Sequence, residues 1–136
     1  MSSNIYSVGL QHVGAYQVSG TPYLSGSVLP ASTTDSLRFQ FPKVTKKVIV
    51  RTNDAVDVRV HFAPYQASFG YTDGADTDDN YAILSGPGHL EFEVKCKEIF
   101  ISTESVITTE TVEIFAELTN IPASRMFNLD GLAGVS

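Results

Sequence analysis

The residues of this chain best suited to chemistry begin with an acidic stretch in which Asp76, Asp78 and Asn80 have the spacing that opens an EF-hand calcium loop. The motif then fails: Tyr81 stands where the sharp turn needs glycine, and Pro87 where the bidentate glutamate belongs. Asp73, Asp76, Asp78 and Asp79 therefore read as a solvated turn. His12, His61 and His89 lie in separate segments, with no i,i+4 pair and no cysteine pair to complete a zinc site. Glu91 and Glu93 share one face of a strand, as glycosidase carboxylates can, but their alternation with apolar residues and lysines is the pattern of a solvated charge ladder. Cys96 falls on the apolar phase of the same segment and reads as a buried, inert thiol. There is no Gly-x-Ser-x-Gly elbow, no phosphate-binding glycine loop and no dinucleotide fingerprint. No catalytic residue, metal ligand or cofactor is assigned, and a non-enzymatic role is expected.

The elements that position these residues follow from composition and period. At 136 residues with 43% hydrophobic content the chain suits one domain with its own core. Charged residues are only 18%, which suits a protein whose faces are partly covered by neighbours. The net charge is −6 and the nine Lys and Arg form no run, so no direct nucleic-acid contact is expected. One cysteine makes no internal disulfide, and no apolar run approaches the length of about 18 residues that spans a bilayer. Met1-Ser2-Ser3-Asn4 has neither the basic nor the apolar region of a signal peptide, so synthesis and assembly in a cytoplasm are expected.

Period-2 alternation dominates. Val56, Val58, Val60 and Phe62 alternate with Asp57, Arg59 and His61, which predicts one apolar face and one wet face, with His61 a cross-strand or interface residue on the wet side. Val44, Val48 and Val50 precede them, and Asn53-Asp54 supplies turn chemistry, so residues 44–62 read as a hairpin. Leu90, Phe92, Val94 and Cys96 alternate with charges, and after Glu98 the phase slips, which a bulge or a strand passing between sheets explains. Val112, Ile114, Ala116 and Leu118 form the third alternation. Weaker strands are expected at residues 6–18, 37–41 and 81–84, and one helical turn near residues 124–128. Val58, Val60, Phe92, Val94, Ile114 and Leu118 are expected to form the main core.

Seven or eight short strands without crossover helices predict an all-β antiparallel β-sandwich of Ig-like or jelly-roll type, with a small β-barrel as the alternative. The domain is expected over residues 1–119, with long contact loops at 19–36 and 66–89. Residues 120–136 carry Ile121, Met126, Phe127 and Leu129 without strand period, and read as a C-terminal arm that packs Met126, Phe127 and Leu129 against a partner. Tyr65, Tyr71 and Tyr81 are the candidates for an exposed platform that touches host carbohydrate.

Several segments carry a resemblance: Ile5-Tyr6-Ser7-Val8-Gly9-Leu10, Gly14-Ala15-Tyr16-Gln17-Val18-Ser19-Gly20, Val58-Arg59-Val60-His61-Phe62, Val94-Lys95-Cys96-Lys97-Glu98-Ile99-Phe100-Ile101-Ser102 and Leu118-Thr119-Asn120-Ile121-Pro122. Together they resemble small virion structural proteins of marine tailed phages, cyanophages included. The resemblance implies a capsid decoration, or cement, protein on the virion's capsid surface. Such a protein binds and bridges major capsid proteins and neighbouring copies of itself, as a homo-oligomer on the particle. A tail or head-tail adaptor component and a carbohydrate-binding host-contact module are the competing readings.

Overall fold

The computed structural model describes residues 10, 20–30, 35–64, 81–103, 109–129 and 135. In chain order its elements are β1 (Thr21–Val28), β2 (Leu37–Gln40), β3 (Lys43–Thr52), β4 (Asp57–His61), β5 (Ala82–Ser85), β6 (Gly88–Phe92), β7 (Glu98–Thr103) and β8 (Thr111–Pro122), followed by a single 3-10 turn, Ala123–Arg125. They form two four-stranded antiparallel sheets, ordered β1-β8-β3-β6 and β2-β7-β4-β5. The pairs β1·β8, β2·β7, β3·β6 and β4·β5 are those of one long antiparallel ribbon folded on itself, and β3·β8 and β4·β7 close the roll. This is the jelly-roll form of the expected sandwich, and the sheets are not closed into a barrel.

The core lies between the two sheets because each alternation turns its apolar phase inward. Val48 and Val50 of β3 and Val112, Ile114, Ala116 and Leu118 of β8 meet Val58 and Val60 of β4 and Ile99 and Ile101 of β7. Of the expected core residues, Val58, Val60, Ile114 and Leu118 are buried, whereas Phe92 and Val94 are half-buried against its margin. Phe92 meets Phe62 edge-on, with ring centroids 5.7 Å apart. The phase slip after Glu98 is a change of sheet: β6 belongs to the first sheet and β7 to the second, with residues 93–97 crossing between them. The buried Thr45 hydroxyl secures that crossing, donating to the Val94 carbonyl at 2.8 Å and accepting the Cys96 N–H at 3.1 Å.

Several expectations are corrected. Residues 44–62 are no hairpin, because β3 and β4 lie in opposite sheets with their apolar faces opposed across the core instead of side by side. The intervening link is tied to the start of β8, where the Asp54 carboxylate accepts the Thr111 N–H at 2.8 Å and the Thr52 hydroxyl donates to the Thr111 carbonyl at 2.8 Å. Gly86 packs against this link, and a Cβ there would collide with the Asp54 carbonyl and the Thr52 methyl. Residues 19–36 are not one loop, since they contain β1, and residues 66–89 contain β5 and the start of β6. Nor do residues 120–129 leave the domain as a free arm: β8 continues through Pro122, and Ile121 and Met126 are buried with Val44 in a second small cluster, while residues 130–134 and 136 of the expected arm lie outside the described residues.

The depth of burial sets the cost of truncation. Ile114→Ala should lower the unfolding free energy by about 2–5 kcal/mol. Phe92→Ala should fall short of the roughly 3–5 kcal/mol of a fully enclosed aromatic ring. Urea denaturation of both variants beside the parent checks the ranking, and a larger loss for Phe92→Ala would contradict it.

Candidate interaction face

Chemistry-bearing side chains do come together inside the second sheet, at a place the alternation assigned to solvent. His61 and Arg59 are buried, at 0% and 2% exposure, as are Phe100, Ser102 and Thr103 of the neighbouring β7. This corrects the wet-face reading of β4: period 2 shows which residues share a face, and cannot show that the second face is covered too. The His61 Nδ1–H donates to the Ala63 carbonyl at 2.6 Å, which leaves Nε2 to accept the Ser102 hydroxyl proton at 2.8 Å. That is the hydroxyl-to-imidazole arrangement of an activated serine. Ser102 and His61 are both fully enclosed, however, so the pair ties β4 to β7 with no approach for a substrate. Burial pushes the His61 pKa down to about 4, with Arg59 adding to the effect, so the ring is neutral at pH 7. Arg59 donates to the Thr103 carbonyl and lies 5.8 Å over the Tyr81 ring.

The other chemical candidates are closed, solvent-facing or outside the described residues. Cys96 is buried against the Thr45 hydroxyl, and burial pushes its thiol up to about 11. His89 and Glu91 point outward on β6, and Glu91 pairs with Lys47 at 2.5 Å. Among the described residues no three His, Cys, Asp or Glu side chains gather as metal ligands. Among them, too, no helix is long and apolar enough to cross a membrane. The acidic stretch at 73–80, His12, Tyr65 and Tyr71 lie outside the described residues. Tyr81 is half-buried, with Arg59 against one side of its ring, which leaves it a poor flat platform.

What the described surface does present is apolar contact. On the outer face of the β1-β8-β3-β6 sheet, Leu24, Phe115 and Ile49 stand in register on three adjacent strands. Leu24 is 75% exposed, and Phe115 and Ile49 are half-exposed on the phase opposite the core. Charges flank the row on both sides: Glu113 with Arg51 in one register, Glu117 with Lys47 in the other. The register shift between Thr45 and Lys47 is a β-bulge. A shallow groove of about 540 Å³ opens beside the row, lined by Leu24, Gly26, Ile49, Arg51, Glu113 and Phe115.

The sequence reading did not find this face, because β1 inverts the usual signal. Leu24 and Val28 point to solvent, while Ser25 and Ser27 share the inward phase with Tyr23, the one large residue of β1 that packs on the core. The available signal was the odd phase of β8, where Phe115 sits between two glutamates.

The three C-terminal residues expected to meet a partner separate. Met126 is buried in its own chain, Leu129 is half-buried against both clusters, and Phe127 alone is well exposed, at 57%. No protein-family model, no curated protein and no solved structure matches the chain.

The His61 environment fixes a pH dependence. A folded pKa below the unfolded value of about 6.5 means that the unfolded chain binds the extra proton, so this group's contribution is present above pH 6.5 and lost as the pH falls towards 4. The loss approaches about 3 kcal/mol at its full extent. Denaturation midpoints measured from pH 7 to 4 should show a steeper fall for the parent than for His61→Asn, and parallel curves would contradict the assignment.

Proposed function

We infer that this chain is a non-enzymatic virion structural protein, a capsid decoration (cement) protein that binds and bridges major capsid proteins on the particle surface. The resemblance to tailed-phage virion proteins supports the reading. A stiff two-sheet body offering exposed apolar contact, with the His61–Ser102 pair shut inside, suits a building block better than a catalyst.

The observation that carries the shell contact is Phe127. Its neighbour Met126 is anchored in the domain's own core, and the Lys97 ammonium donates to the Met126 carbonyl at 3.2 Å, so the exposed ring is held out from a fixed base. A pre-positioned apolar anchor loses little conformational entropy on binding. Repeated over many copies, modest contacts of this kind reinforce a shell under outward pressure from packed DNA.

Phe127→Asp tests the reading without disturbing the core. Burial of one such ring is worth about 1.5–3 kcal/mol, so binding to undecorated heads should weaken by roughly tenfold or more while the melting temperature holds. Met126→Ala should instead lower stability, by about 2–5 kcal/mol. Parent protein that ignores heads but joins purified tails would replace this reading with the adaptor one. Retention on glycan-coated beads in place of heads would favour the host-contact module.

A further inference from the structure

We propose that two copies of this chain pair face to face through the outer surface of the β1-β8-β3-β6 sheet, about a two-fold axis that runs along the strands between β8 and β3. The occupant follows from charge and shape in register. Across β8 and β3 the outward partners are Glu113 with Arg51, Phe115 with Ile49, and Glu117 with Lys47. A two-fold axis in the interface plane, parallel to these strands and midway between them, exchanges the two columns and leaves each height unchanged. Each of these three outward residues of β8 then faces the residue of the second copy that matches its own register partner. Glu113 meets the copy's Arg51, Phe115 meets the copy's Ile49, and Glu117 meets the copy's Lys47, each contact occurring twice.

The alternative in-plane axis, across the strands along the apolar row, sets Glu113 against Glu117 and Arg51 against Lys47. Like charges then oppose each other along both flanks, and that arrangement is disfavoured. The outer columns agree with the first axis. Gly26 stands at the same height as His89, through Glu113 and Arg51, so the copy's exposed imidazole faces the groove over the one position of β1 that lacks a side chain. Leu24 comes over the stem of Glu91, whose carboxylate is already paired with Lys47 at 2.5 Å. Two twisted sheets pack aligned to within about 30°, which keeps these heights matched near the axis.

The test is sedimentation velocity on the full chain from about 1 µM to about 1 mM, a span that covers weak and moderate affinities. A reversible monomer–dimer equilibrium is expected, and Ile49→Asp should abolish it. Arg51→Glu and Glu113→Arg should each weaken pairing by about tenfold or more, and the double exchange should restore it. Arg51→Glu, Glu113→Arg and their double exchange should melt close to the parent, since the Arg51–Glu113 pair within one chain is exposed and 3.7 Å long. A monomer at every concentration overturns the proposal. So does a double exchange that fails to restore pairing, or a Glu113→Arg variant that pairs more tightly, which would indicate the other axis. The measurement uses no capsids. Dimers with no affinity for heads would therefore sink the decoration reading and leave this one standing, and head-binding monomers would do the reverse.

Discussion

The hydroxyl of Thr45 is the interaction on which much of this sandwich depends. A jelly roll must carry its chain from one sheet to the other while the backbone groups at the crossing leave water, and buried amides left unpaired each cost of order 1–3 kcal/mol. Between β6 and β7 the crossing is held by one buried side chain that both donates to Val94 and accepts from Cys96, while the Thr45 N–H donates to the Cys96 carbonyl at 3.0 Å. The phase of β7 is set from that point. So is the pairing of β7 with β2 and β4, and hence the composition of the whole second sheet. Thr119 plays a related part where β8 is irregular, donating to the Val44 carbonyl at 2.7 Å and accepting the Ile121 N–H.

The two sheets that result are not equivalent. In the second, the inner strands β4 and β7 are buried almost throughout, and their non-core face has to hold polar groups that satisfy one another, as His61 and Ser102 do. In the first, β8 from Thr111 to Leu118 and β3 from Lys47 to Thr52 keep a regular alternation, with one face on the core and the other in solvent. A solvated antiparallel face ordinarily carries polar residues throughout. Here an apolar row crosses three strands at one height and is bordered by charges of both signs. Such a border gives orientation as well as contact, because only some rigid placements avoid opposing like charges.

Taken together, the proposals give the molecule two separate ways to touch neighbours: a flat, charge-coded sheet face for a second copy, and a fixed aromatic anchor after β8 for the shell. Joining two weak contacts through a stiff body makes the second binding event effectively intramolecular, which raises avidity without a large interface at either site. Stiffness matters for the same reason, since a body that flexed between the two contacts would lose part of that gain to entropy.

The class of fold and the phase of most strands were legible in the residues alone, because alternation in residues 44–62, 90–96 and 112–118 reports directly on which side chains share a face. The sequence also showed a phase slip after Glu98, but left a bulge and a change of sheet as equal explanations, between which the pairing of β6 and β7 in different sheets decides. It could not show that β3 and β4 oppose each other, since the same two amphipathic strands satisfy their apolar faces equally well as neighbours or as opposites. β1 was hidden because Tyr23 is its only bulky inward residue, and its serines face the core margin while Leu24 and Val28 face out. Burial of Arg59 and His61 depends on what covers a second face, which no local pattern encodes. Met126 and Phe127 look alike as apolar neighbours in the chain. Only the turn after Pro122, which aims one into the Val44 cluster and the next into solvent, separates an anchor from a contact.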